Sequence, residues 1–112
     1  MDIVVTIPRS EAVNTKKEDE FVSELKGNAV QFWSVHRKAK ELKVGDRVYF
    51  VENGFITCYH KFLGYVYDPV CEVTGRLWPG LNLLLECPCV LLINPVPKKG
   101  FQGFHYVERF EP

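Results

Sequence analysis

The feature that most constrains the fold is an Asn-Gly pair at 53–54 that separates two aromatic-rich apolar runs. Both residues accept the positive φ angles of a tight turn, so the pair predicts a β-hairpin. The run 47–51 predicts the first strand of this hairpin. The run 55–67 predicts a long return strand, bent or bulged near Gly64, that the Asp-Pro pair at 68–69 ends.

Further strands are predicted from short apolar runs. Residues 3–7 predict a buried first strand, and residues 28–33 an extended segment. The leucine-rich run 81–93 is interrupted by Pro88. Because proline has no N–H to donate to a neighbouring strand, the run predicts either two strands that meet there or one strand with a bulge there. A last short strand is expected over 107–110. The core residues expected from the leucine-rich run are Leu83, Leu85, Val90 and Leu92.

Helices are predicted near the N-terminus. A Thr-x-x-Glu capping box begins a helix over 15–27, and Ser34 caps a short basic helix over 34–42. The glycine-punctuated segment 100–106 predicts a single helical turn. These elements predict an α+β fold in one domain over 1–112: a small curled mixed β-sheet or pseudo-barrel with two or three short helices.

Composition narrows the class of protein. Hydrophobic residues make up 46% of the chain and charged residues 25%, as in globular domains. The formal net charge is zero, so electrostatic recognition has to be local. No apolar run is long enough to span a bilayer, and the N-terminus lacks the basic segment of a signal peptide. The predictions are a cytoplasmic location and no membrane partner.

The cysteines do not suggest a metal site. There are four of them, Cys58, Cys71, Cys87 and Cys89, which is too few for a disulfide scaffold in a domain of this size. The Cys-Pro-Cys segment has one intervening residue, whereas zinc knuckles favour two to four. We therefore predict four free thiols, no structural metal and no cofactor.

Catalytic residues are not predicted either. His36, His60 and His105 are scattered over different elements, and no serine or cysteine lies in a nucleophile motif. A triad that joins Cys58 or Cys71 to a histidine is geometrically possible. The sequence also has no glycine loop of the phosphate-binding type. Binding is therefore favoured over catalysis.

The segment 31–51 carries the strongest hint of function. It joins an aromatic pair, Phe32 and Trp33, to a basic stretch and a Gly-Asp turn. Two interpretations are open: Trp33 is a buried anchor beside the sheet, or it stacks on a base while nearby cations contact phosphates. The cations are Arg37, Lys38, Lys40 and Lys43.

The order of these motifs resembles that of the PUA-like superfamily, most nearly the EVE and ASCH domains. The resemblance rests on Trp-Ser-Val at 33–35, Lys-Val-Gly-Asp at 43–46, Leu-Gly-Tyr-Val at 63–66 and the Pro- and Gly-containing segment 95–104. The Gly-x-Lys-x-x-Glu-x-Arg pattern of ASCH domains is absent, which argues against transferring their amidohydrolase activity. The resemblance implies a PUA-like pseudo-barrel that binds RNA or a modified DNA base, in EVE domains by accepting a flipped base.

The predicted function is a nucleic-acid-binding module with an aromatic pocket beside the basic helix. The alternatives are a protein-interaction module that offers an edge strand or aromatic patch, and, less favoured, a small hydrolase. Asn53, Asn82 or Gln102 is expected to read a base edge. The candidate nucleic-acid-binding residues are Trp33, Ser34, His36, Arg37, Lys38, Lys40, Tyr65, Gln102 and Phe104.

Overall fold

The computed structural model describes residues 1–7, 30–70, 75, 77–87 and 89–109. These residues form seven strands: β1 (Asp2–Thr6), β2 (Val30–Ser34), β3 (Arg47–Glu52), β4 (Phe55–Tyr67), β5 (Leu81–Glu86), β6 (Val90–Pro97) and β7 (Phe104–Val107). No helix long and apolar enough to cross a membrane occurs in this part of the chain. The helix predicted over 15–27 lies outside the described residues.

The strands form one open mixed sheet. Its order is β2-β5-β4-β3-β1-β7, and β6 pairs with β4 beside β5. The β1–β3 pair is parallel and the other pairs are antiparallel. Strands β5 and β6 follow one another along the edge of β4 that lies opposite β3. Strands β2 and β7 are the two ends of the described sheet.

The central hairpin is confirmed. Asn53 and Gly54 have φ angles of 52° and 82°, the left-handed conformation that a two-residue hairpin turn requires at both central positions. The return strand β4 covers Phe55–Tyr67, as predicted. Its pairing with β5 shifts register between Phe62 and Gly64, so the predicted bulge is confirmed as well. The bulge bends β4, the longest strand described.

The core lies on both faces of the sheet, because successive side chains of a strand point to opposite faces. The first cluster contains Ile3, Val5, Ile7, Trp33, Ala39, Leu42, Val48, Phe50, Cys58, Phe62, Leu83 and Leu85. The second cluster contains Val4, Tyr49, Val51, Ile56, Tyr59 and Leu92. Strands β1 and β3 contribute to both clusters, which explains why they read as continuous apolar runs. The buried first strand is thereby confirmed.

The α+β prediction is wrong, because the described residues are all-β. In place of the helix over 34–42, Ser34 ends β2 and the chain continues in bends and turns. Leu42 donates to the Ala39 carbonyl at 3.1 Å in a single turn, but other backbone N–H groups of this segment donate to side chains or to distant strands. Ala39 donates to the Tyr65 hydroxyl at 2.9 Å, and Lys43 donates to Asp46 Oδ2 at 2.9 Å. Tertiary contacts thus replace the helix that local propensity favoured.

The C-terminal segment also differs from prediction. The expected helical turn over 100–106 is absent from the described residues, and the strand expected over 107–110 lies earlier, at Phe104–Val107. This strand pairs antiparallel with β1, with Val5 opposite Phe104. Pairing with β1 supplies main-chain partners along the segment, which a single isolated helical turn does not.

The leucine-rich run forms two strands, which was one of the two predicted alternatives. Leu83, Leu85 and Leu92 are buried, which confirms their place in the core. Val90 is 43% exposed, so its predicted core position is wrong. Strand β5 ends at Glu86 and β6 begins at Val90. The buried leucines of β5 are at odd-numbered positions and the buried leucine of β6 is at an even-numbered one, so the alternation of buried side chains does not continue from β5 into β6.

Candidate binding cleft

A cleft of about 860 Å³ lies between β2 and β7, the two ends of the described sheet. Its walls come from the end of β1, the end of β2 with residues 35–37, Trp78, and residues 101–105. Trp33 of β2 packs on Phe50 of β3, although two strands separate β2 from β3 in the sheet order. The sheet therefore curls, and its curvature brings the two ends towards each other.

Two contacts join the ends of the sheet beside the cleft. The Arg37 guanidinium carbon lies 5.0 Å from the centre of the Phe104 ring. The backbone N–H of Glu41 donates to the Tyr106 hydroxyl at 3.1 Å. Both link the turn after β2 to β7. Arg37 and Glu41 are exposed, so both contacts lie near the surface of the molecule.

The structure brings most of the predicted site residues together. Those that line the cleft are Trp33, Ser34, His36, Arg37, Gln102 and Phe104. Lys38, Lys40 and Tyr65 do not line it. The Lys38 ammonium nitrogen lies 5.3 Å from the centre of the Tyr65 ring, and Lys40 is exposed on the same turn. Lys38 and Lys40 follow the cleft residue Arg37 closely in the sequence, but they are not part of the cleft walls.

Tyr65 supports the turn after β2. Its hydroxyl accepts from the Ala39 backbone N–H at 2.9 Å and donates to the Ala39 carbonyl at 3.3 Å. Its ring packs edge-on against Phe62 at 5.0 Å. Burial raises the pKa of Tyr65 above its ordinary value, although the hydrogen bond to Ala39 works in the opposite direction. The phenol therefore stays protonated and holds the basic turn against the sheet.

The position of Trp33 agrees in part with both interpretations, the buried anchor and the residue that lines a binding site. Its side chain is only 9% exposed and belongs to the first cluster. The ring meets Phe50 edge-to-face at a centroid distance of 5.0 Å, a favoured aromatic geometry. Trp33 also lines the cleft. It is thus a core residue with a small accessible surface in the candidate site.

Seven of the cleft residues were not among the predicted site residues, and three of these seven carry rings. The three are Trp78, Phe101 and His105, which come from two segments distant in sequence from β2. Only the glycine-punctuated aromatic spacing near residue 100 hinted at the last two. These residues line the cleft because the tertiary structure brings β7 and the turn before β5 close to β2. No local sequence pattern predicts that arrangement.

Asn82 is a support for the cleft wall and not a reader of base edges. It is completely buried, and its amide nitrogen donates to the Trp78 carbonyl at 2.9 Å and the Gly80 carbonyl at 3.1 Å. Its side-chain oxygen accepts from the Ser34 hydroxyl at 3.2 Å. These bonds fasten the turn before β5 to the end of β2. Asn53 occupies the hairpin turn and does not line the cleft.

A buried polar cluster beside β5 contains Gln31, His60 and Cys87. The Cys87 thiol donates to Gln31 Oε1 at 3.5 Å and lies 3.9 Å from His60 Nδ1. His60 Nδ1 is also 2.8 Å from the Glu86 carbonyl oxygen. A carbonyl only accepts, so Nδ1 carries the hydrogen and offers the thiol no lone pair. In this tautomer Nδ1 of His60 does not act as a base towards the Cys87 thiol.

Acidification is expected to destabilise the fold through His60. Burial lowers the pKa of His60 below its ordinary value of 6.5, although the hydrogen bond to Glu86 opposes this. Below pH 6.5 the unfolded chain therefore binds a proton that the folded chain does not. The free energy of unfolding should fall by up to about 1.4 kcal/mol per pH unit below pH 6.5 until the folded pKa is reached. Urea melts at a series of pH values measure this slope.

The matched variants are His60→Gln and His36→Gln. His60→Gln should flatten the pH dependence of stability below pH 6.5, whatever its effect on stability at pH 7.5. His36 is exposed and lies outside the buried cluster, so His36→Gln should leave the contribution of His60 to the slope in place. An unchanged slope in His60→Gln would show that another group carries the pH dependence.

Among the described residues, no cluster of three or more histidine, cysteine, aspartate or glutamate side chains is arranged to hold a metal ion. Comparison of the chain with protein-family models, curated proteins and solved structures finds no match. The resemblance to EVE and ASCH domains therefore stays a prediction. What is known about the site comes from its own geometry.

Proposed function

We propose that this protein is a nucleic-acid-binding module that receives an unpaired base of RNA or modified DNA in the cleft between β2 and β7. The observation that carries the proposal is the meeting of aromatic and cationic side chains in one cleft: Trp33 and Phe104 in its walls, with Arg37 over the Phe104 ring at 5.0 Å. Aromatic faces beside cations are the common means of binding single-stranded nucleic acid.

The size of the cleft supports a small planar ligand. Its volume of about 860 Å³ is within the range of roughly 300–1,000 Å³ that small-molecule sites occupy. The walls also offer polar groups beside the rings. Ser34 and Gln102 are exposed there, and a base edge needs such hydrogen-bonding partners to be distinguished from other flat molecules.

The charge distribution supports contacts with a phosphate backbone. The chain has no net charge, yet the turn after β2 carries Arg37, Lys38 and Lys40 within four residues. All three are exposed. Because Lys38 and Lys40 lie outside the cleft, they are available to the phosphates of a strand whose base is inside it.

Charge reversal tests this assignment. The double variant Lys38→Glu/Lys40→Glu should bind single-stranded nucleic acid more weakly for every sequence, because phosphate contacts carry no base information. The slope of log affinity against log salt should become shallower by about 0.7 for each phosphate that the variant no longer neutralises. Fluorescence anisotropy with labelled single-stranded oligonucleotides over a salt series measures both quantities.

Lys61→Glu is the control for this experiment. Lys61 is exposed on β4 and does not line the cleft, so its reversal changes the net charge without touching the basic turn. It should leave the affinity and salt slope close to wild type. If the double variant and Lys61→Glu behave alike, or the wild-type protein binds no oligonucleotide, the proposal fails.

A protein partner on β6 is the second candidate. Leu91 and Ile93 are 72% and 77% exposed and lie two residues apart, so their side chains share one face of the strand. Exposed apolar side chains on a strand are typical of interaction sites. Binding there should be lost in Leu91→Lys and should depend little on salt, whereas binding in the cleft should be independent of Leu91 and fall steeply with salt.

A further inference from the structure

A pair of stacked rings lies on the β7 side of the cleft. The Phe101 and His105 rings are 4.0 Å apart between centroids, with an interplanar angle of 8°. Both residues line the cleft. The Lys98 ammonium nitrogen lies 5.3 Å from the centre of the Phe101 ring. The three side chains form a short stack that ends at the imidazole.

The outer end of this stack meets solvent. His105 is exposed even though Phe101 covers one face of its ring. Because Phe101 covers one face, the opposite face and the edge of the imidazole are the parts that a ligand in the cleft would contact. A flat ring with one face already supported is a stacking surface for another planar group.

Contacts with β1 and with the second cluster hold the stack in place. The Phe101 backbone N–H donates to Thr6 Oγ1 at 3.1 Å, and the Phe101 side chain packs against the second cluster. A Cβ added at Gly100 would lie 3.2 Å from Thr6 Cγ2, so the backbone approaches β1 closely here. A platform that is ordered before binding loses little conformational entropy when a ligand arrives.

Phe104 and His105 lie on opposite faces of β7, because they are neighbours in a strand. Phe104 packs against the first cluster on the side where Trp33 lies. His105 is on the side of Phe101, which packs against the second cluster. The cleft therefore has an aromatic surface on each side of the β7 edge.

We infer that His105 is a second stacking position, so that the ligand is a single strand of at least two nucleotides and not a free nucleotide. This inference rests on the proposed function of the cleft. One base enters beside Trp33 and Phe104, and a neighbouring base of the same strand stacks on the outer face of His105. Stacking requires only a π-face, so this second position tolerates any base.

Short oligonucleotides test the inference. Affinities are measured for deoxyadenosine monophosphate, the dinucleotide d(AA), and the two dinucleotides in which one adenine is replaced by an abasic site. The abasic probes keep the charge and length of d(AA). We expect d(AA) to bind roughly 5- to 150-fold more tightly than either abasic probe, the factor that one stacked base contributes.

Two variants assign the gain to His105. His105→Ala should bring d(AA) down to the affinity of the tighter abasic probe, because the stacking surface is gone. His105→Phe should keep most of the gain, because it preserves an aromatic face above Phe101. Thermal melts check that both variants fold. Loss of the gain in both variants would assign it to the imidazole as a hydrogen-bonding group and overturn the stacking role.

The failures of the two ideas are distinguishable. If d(AA) and the abasic probes bind wild-type protein equally while the monophosphate and longer strands bind, the second position is wrong and the cleft assignment stands. If longer single strands also fail to bind, the proposed function is wrong and the second position falls with it.

Discussion

Trp33→Ala is expected to lower the free energy of unfolding by about 3–5 kcal/mol. The side chain is 9% exposed and packs edge-to-face on Phe50 at 5.0 Å. It also connects β2, an end of the sheet, to the first cluster. Removing the indole leaves a cavity at the point where the sheet curls. Chemical denaturation followed by circular dichroism measures the loss.

The same variant reports on binding. Because Trp33 also lines the cleft, Trp33→Ala should weaken nucleic-acid binding even when affinity is calculated for folded molecules alone. Tyr67→Ala is the control, since Tyr67 is an aromatic residue that is 66% exposed and lies outside the cleft. It should change stability by no more than about 0.5 kcal/mol and leave binding intact. Full affinity in folded Trp33→Ala would leave Trp33 with a structural role only.

Leu85→Ala is expected to cost about 2–5 kcal/mol of stability. Leu85 has no exposed surface and lies on β5 between its partners, Gln31 on β2 and Phe62 on β4. The side chain thus packs in the first cluster from a strand that has neighbours on both edges. Such a site has little freedom to collapse around a cavity, so the cost should lie towards the upper part of the range.

Leu91→Ala is the matched control for this substitution. Leu91 is the same residue type on the following strand, but it is 72% exposed. Its truncation should change the free energy of unfolding by no more than about 0.5 kcal/mol. Equal losses in the two variants would contradict the assignment of Leu85 to the core. Both values come from urea denaturation, with the midpoint and the slope compared separately.

The candidate site depends on the sheet remaining open. A strand at the end of a sheet has main-chain and side-chain groups that no neighbouring strand covers. Here the two ends, β2 and β7, face each other across the cleft, and the Arg37–Phe104 contact lies between them. The site is therefore assembled from segments about seventy residues apart in sequence.

About half of the candidate site could be predicted from the sequence. The basic turn beside Trp33 is a local cluster, so spacing alone identifies Arg37 and His36. Gln102 and Phe104 are predicted through the resemblance and the aromatic composition. Trp78, Phe101 and His105 escape prediction as site residues, since they reach the cleft only through strand pairing and the curl of the sheet.

The sequence by itself determined the elements whose geometry is local. The turn at Asn53 and Gly54, the extent of β4 and its bulge near Gly64 follow from the φ angles that each residue accepts, or from the short-range alternation of apolar side chains. These interactions span a few residues. No distant part of the chain is needed to define them.

Only the tertiary structure decided the conformation of the chain after β2 and the location of the cleft. A helix over 34–42 is compatible with local propensity, but the backbone of Ala39 and Glu41 finds partners in the hydroxyls of Tyr65 and Tyr106. Propensity differences amount to a few tenths of a kcal/mol per residue. Hydrogen bonds and burial against the curled sheet outweigh them, and the same long-range contacts create the cleft.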